Sequence, residues 1–238
     1  MSTTRPAGGL TPARRIAGSR SSHADGDGDS NGTPQTRRGD GHIDLPLLVG
    51  LVAAGFTALY LISDLIEVAQ GGFSTFRLAL TYAGEAAIPL FVIGLYAVQR
   101  PPIGRLGFAG AVAYAYSYVF FTSTVVYALI ARTPNYKDMA KVFGAWMTVH
   151  GLIMLVGGLA FGLAVVRAGV LPRWTGVLLM AGVVLVVAAS GLPDIPRTVA
   201  AAIPDAAFIG MGLAVLNRRR KSRTRQGPTE ATHPDHAP

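Results

Sequence analysis

Cysteine is missing altogether from the 238 residues, which excludes disulfides, thiol catalysis and cysteine-ligated metal sites. Charge is scarce as well: 14% of residues are Asp, Glu, Lys or Arg, against roughly 25% in soluble domains. Of the five histidines, His150 alone stands within an apolar segment. A bis-histidine haem inside such segments is thereby excluded, and a catalytic zinc site, which usually takes more than one nitrogen ligand, is weakened. The apolar segments also contain no G-x-S-x-G nucleophile pattern. Nothing here indicates a cofactor.

What is present is hydrophobic: 50% of the chain, gathered into runs of about twenty residues, the length that crosses about 30 Å of hydrocarbon as a helix. The fold class expected is all-α, a polytopic membrane protein built as a bundle of six transmembrane helices. Spans are expected at Leu45–Ala69, Leu78–Val98, Leu106–Ile130, Val142–Val166, Thr175–Ser190 (a shorter one) and Thr198–Leu216. Between them stand Gly71-Gly72, Pro101-Pro102, Arg132 to Lys141, Pro172-Arg173 and Gly191 to Arg197, all rich in turn and breaker residues.

Three parts follow. Residues 1–42 hold almost no large apolar side chain and are expected to be a disordered cytoplasmic tail. Residues 43–217 form the transmembrane domain, and 218–238 a basic, disordered cytoplasmic tail. Within the first tail, Asp27 to Gly32 matches the opening of a calcium loop, but the twelfth position is Arg38 in place of the bidentate Glu. It reads as a polar linker. Arg14-Arg15 is followed by Gly, Ser and Arg where an apolar leader core would begin, so no cleaved signal is expected.

The net charge of +8 resides in tails and short loops, which reads as a topological signal and not as a nucleic-acid surface. With both tails on one side, that side collects 16 of the 21 basic residues and the other side 5. Both termini are therefore expected in the cytoplasm, with the protein multi-pass in the cell membrane. The bilayer is the expected partner; a homo-oligomer stays open. Gly158 to Gly162 is a G-x-x-x-G that suits close helix packing within the bundle.

The run HGLIMLVGGLAFGLAVVRAGVLPRWTG, His150 to Gly176, and GVLPRWTGVLLMAGVVL, Gly169 to Leu185, have a Pro-Arg-Trp junction that opens a span. This pattern resembles uncharacterised actinobacterial polytopic membrane proteins. The resemblance covers the fourth and fifth spans and implies a membrane bundle, with no activity to carry over.

Ionisable groups inside a bilayer are costly, so each is a candidate for function. At 1.5 Å per residue, Glu85 lies roughly 12 Å from its helix end, His150 roughly 13 Å, Asp205 roughly 10 Å and Asp64 roughly 9 Å, with Glu67 shallower. All fall in the outer half of the membrane. Tyr60, Asp64, Glu67 and Gly71 share one helix stripe, and Arg77, Thr81 and Glu85 another. Pro89 frees the carbonyl of Glu85 beside its carboxylate.

The expectation is a polar binding site shared by Asp64, Glu67, Glu85, His150 and Asp205. Plainer readings stand beside it: Asp64 and Glu67 as headgroup-level residues, Glu85 and His150 as interhelical hydrogen-bonding links, Asp205 as a helix cap. As a function, the site suits a small transporter or proton-coupled carrier. The alternatives are an intramembrane, metal-dependent hydrolase or a non-catalytic component that binds a partner or lipid.

Overall fold

A computed structural model describes residues 44–225, all-helical and without strands among the described residues. The expectations for residues 1–42 and for the end of the C-terminal tail lie outside that range. Seven helices follow one another: α1 (Leu45–Gln70), α2 (Thr75–Ala97), α3 (Gly104–Ala131), α4 (Tyr136–Phe143), α5 (Ala145–Ala168), α6 (Arg173–Ala189) and α7 (Asp194–Arg225). Five of them, α1, α2, α3, α5 and α7, are long and apolar enough to cross a membrane, and α6 is a shorter apolar helix.

Local chemistry sets the boundaries. Asp44 caps α1, accepting from the Leu47 amide, and Gly71 closes the helix at φ 71°, a left-handed conformation that glycine adopts without penalty. Ser74 caps α2 and Asn135 caps α4. The structure departs from expectation in the connection before the fourth span. Residues there form the amphipathic helix α4, and Gly144, at φ 50°, separates it from α5. The C-terminal boundary also moves: α7 continues through Arg225, since arginine and lysine are good helix formers and suit the negative end of the helix dipole.

The six long or apolar helices pack side by side in the cyclic order α1, α2, α3, α5, α6, α7 and back to α1. The interior of this ring is filled by Phe91, Tyr114, Phe161, Leu179, Phe208 and Met211, each 2% exposed or less. Phe208 packs against both Phe91 and Tyr114, at ring separations of 5.3 and 5.5 Å. The outer faces are apolar too: Leu90, Val119, Val156 and Val199 stand well exposed. A soluble monomer rarely shows such a continuous apolar exterior; a helix bundle in hydrocarbon requires one. This is an integral membrane architecture.

Backbones approach most closely where glycines face each other. A Cβ at Gly162 would lie 2.7 Å from the carbonyl oxygen of Gly176, and one at Gly176 would lie 2.6 Å from that of Gly162. The α5–α6 crossing therefore accepts no side chain at either position.

Candidate binding site

One end of the ring, where α1 ends, α2 begins and α4 lies, carries most of the buried polar side chains. Ser63 of α1 donates to the Arg77 carbonyl (3.0 Å) and sits 2.5 Å from the Thr81 hydroxyl. Thr81, also 3.1 Å from that carbonyl, gives its one proton to the Ser63 hydroxyl when Ser63 donates to the carbonyl. These bonds fix the register of α1 against α2 and set Arg77 over the α1 carboxylates. Arg77 donates to Asp64 at 3.4 Å and forms an ion pair with Glu67. Arg197, from the start of α7, reaches the other oxygen of Glu67 at 3.0 Å.

Glu67 is thus clasped by two guanidiniums from two other helices, a geometry suited to charge-assisted hydrogen bonds. Aromatic rings cover both arginines: Phe73 lies 4.6 Å from the Arg77 guanidinium, and Tyr136 of α4 lies 4.4 Å from that of Arg197. Burial pushes the Tyr136 hydroxyl above its ordinary range, against the opposing pull of Arg197, so the ring serves as a neutral cover.

Beneath this ion-paired rim lies a cavity of about 170 Å³. Its walls combine Tyr60, Thr81, Glu85, Tyr118, Phe121 and Thr124 with Met139 and Met147. Glu85 is 6% exposed, and its Oε2 has no hydrogen-bonding partner. The Tyr60 hydroxyl is close enough to interact with the Glu85 carboxyl. Asp205, 5% exposed, sits one turn of α7 beyond the cavity-lining Ala201, and its Oδ2 is likewise unpartnered. Asp205, Glu85 and Asp64 lie within electrostatic reach of one another.

Of the five residues expected to share a site, the structure brings together Asp64, Glu67 and Glu85 around the cavity, with Asp205 next to it. Asp205 is inside α7, which begins at Asp194; it is no cap. His150 is elsewhere. Its ring stacks on Phe120 of α3 at 3.8 Å with 9° between planes, and its Nδ1 is 2.9 Å from the Trp146 carbonyl oxygen. Met147, three residues earlier, lines the cavity, while His150 is held among the rings of Tyr116, Phe120 and Trp146.

Two side chains of the ion-paired rim, Arg77 and Arg197, are not among the expected site residues. Arg77 shares the helix face of Thr81 and Glu85, and that spacing could have assigned it to the site. Arg197 carries no such signal, because its pairing with Glu67 joins residues 130 positions apart. Among the described residues, no group of three or more His, Cys, Asp or Glu is arranged to hold a metal ion. Compared with protein-family models, curated proteins and solved structures, the chain finds no match.

Proposed function

We propose that this protein is a six-span membrane carrier of the cell membrane, with both termini cytoplasmic, that takes up protons or a small cation at Glu85. Three features support the six spans. The 17 residues of α6 reach about 25 Å as a helix, close to the hydrocarbon thickness. Along that length α6 packs between α5 and α7, both long enough to cross. An even number of spans also agrees with the basic-residue bias toward the side of the two tails.

The observation that carries the binding site is Glu85, which lines the cavity and whose buried Oε2 has no hydrogen-bonding partner. The two arginines of the rim are engaged with Asp64 and Glu67, whereas Glu85 and Asp205 have no counter-charge among the described ion pairs. A bare carboxylate in such surroundings costs several kcal/mol, so each of the two takes a proton or a cation. The cavity limits ligand size: about 170 Å³ compares with the roughly 150 Å³ that encloses benzene. Below it, the packed layer of Phe91, Tyr114 and Phe208 separates the site from the opposite end of the ring. A site loaded from one side and closed on the other is one state of an alternating carrier.

The test is flux. Wild type and Glu85→Gln would be reconstituted in liposomes, a pH gradient imposed, and lumenal pH followed with a trapped dye, with and without added monovalent cations. Wild type is expected to dissipate the gradient and Glu85→Gln to lose that activity while keeping its folded yield. Equal rates in both proteins, or none in wild type under any cation, would remove the carrier reading and leave Glu85 as an interhelical link.

A further inference from the structure

The opposite end of the ring carries a second concave feature, on the outer surface of the bundle and far from the cavity. A groove of about 690 Å³ runs between the start of α6 and the C-terminal half of α7. Ala206, Ile209 and Leu213 make its apolar floor, and Trp174 stands along one side. Gly210 keeps it narrow: a Cβ there would come within 3.0 Å of the Trp174 ring, so the indole lies against bare backbone. Toward the end of the bundle the lining changes to Asn217, Arg218 and Lys221. Arg219, between them in sequence, turns instead to Asp44, with its Nε 2.5 Å from Oδ2.

The dimensions match one leaflet of a bilayer. From Ala206 to Asn217 the helix rises about three turns, roughly 16 Å, against a half-thickness of about 15 Å for the hydrocarbon. The apolar floor therefore spans the acyl region, and the change to Arg218 and Lys221 falls at headgroup level. Trp174, 55% exposed, rests its indole on Gly210, about 10 Å short of Asn217 along α7, so the ring lies in the acyl region. The order of chemistries is that of a lipid with a net negative headgroup. A zwitterionic lipid would bring its own ammonium against the same two cations.

We propose that this groove binds an anionic phospholipid, its acyl chain along α7 beside Trp174 and its phosphate between Arg218 and Lys221. The site is independent of the cavity and of any ion that Glu85 takes. Basic residues near a membrane surface contribute about five-fold each to the binding of anionic lipid, so the two together give a clear headgroup preference.

The chain has two tryptophans, and Trp146→Phe leaves Trp174 as the sole fluorophore. That full-length protein would be placed in nanodiscs of phosphatidylcholine containing brominated-chain phosphatidylglycerol or brominated-chain phosphatidylcholine. Brominated phosphatidylglycerol is expected to quench Trp174 at a several-fold lower mole fraction. Arg218→Ala and Lys221→Ala should each reduce that preference by about five-fold. Arg105→Ala, which removes a charge from the same side of the bundle at the start of α3, away from the groove, should leave it unchanged. Equal quenching by the two lipids would overturn the proposal, as would equal losses in Arg105→Ala and Arg218→Ala. Relief of quenching by inorganic phosphate would also overturn it, by reassigning the basic pair to a soluble anion.

Discussion

Glu67 and Glu85 are both carboxylates at 6% exposure, and their neighbours give them opposite sensitivities to neutralisation. Glu67 holds Arg77 and Arg197 together. Replacing it with glutamine removes the charge that pairs with Arg197 and leaves Arg77 with the Asp64 carboxylate, and breaking a buried pair costs about 3–5 kcal/mol. Glu67→Gln is therefore expected to lower thermal stability strongly in a detergent unfolding assay. Glu85 has no cation to release, so Glu85→Gln resembles the protonated acid and should shift Tm by less than about 3 °C. If both variants unfold alike, the division into a structural rim and a binding residue is wrong. His150 makes the complementary point. Stacked on Phe120, it should tolerate His150→Phe with flux intact, whereas a role in proton relay would make that variant inactive.

At the scale of elements, the α5–α6 crossing and the small helix α4 carry separable predictions. Gly162→Ala places a methyl group against the Gly176 carbonyl, and the overpacking is expected to cost about 1–3 kcal/mol, read as a loss of Tm. Helix α4 depends on its cap: the Asn135 side chain accepts from the Asp138 amide at 2.9 Å and donates to the Asp138 carboxylate at 3.0 Å. Asn135→Ala should cost about 1 kcal/mol, seen as faster amide exchange confined to Tyr136–Phe143. The hydrogen bond from Lys141, then that from Asn135, holds the Asp138 carboxyl below its ordinary value of 3.8. A depressed pKa in the folded state stabilises above the ordinary value and is lost as pH falls through the folded one. The protection factor in α4, which removes the intrinsic pH dependence of amide exchange, should thus be unchanged from neutral pH to about 5 and fall below about 4. A protection factor that does not fall below that pH would dismiss the carboxylate's part in the cap. Because Tyr136 covers Arg197, loosening α4 should also weaken the rim.

For the whole molecule, the closed cycle of six helices and the basic-residue bias make topology the decisive test. Reporters fused after the 132–141 connection and after Pro238 should report opposite sides of the membrane, the latter cytoplasmic. The same side for both would mean that α6 does not cross. The all-helical, apolar character was legible from composition and run length alone, because hydrocarbon leaves a chain few other ways to satisfy its backbone. The break at Gly144 was less legible, since an amphipathic turn of helix next to a span continues the same helical period. The tail residues through Arg225 belong to α7 although nothing apolar extends that far: a helix already nucleated by packing propagates cheaply into good helix formers.

By itself, the sequence determined that this is a membrane bundle and where its apolar helices run, and it marked Asp64, Glu67, Glu85, His150 and Asp205 as candidates because ionisable groups are costly against lipid. Those conclusions follow from hydrophobicity and helical spacing, which are local properties of the chain. Tertiary structure decided which of the polar residues meet. It paired Arg197 with Glu67 across 130 positions, set Glu85 in the wall of a small cavity with its Oε2 unpartnered, and packed His150 onto Phe120. The physical reason is that helix rotation and neighbour choice are set by packing between helices, by contacts such as Gly162 on Gly176 and Ser63 on Thr81, and no single helix contains that information.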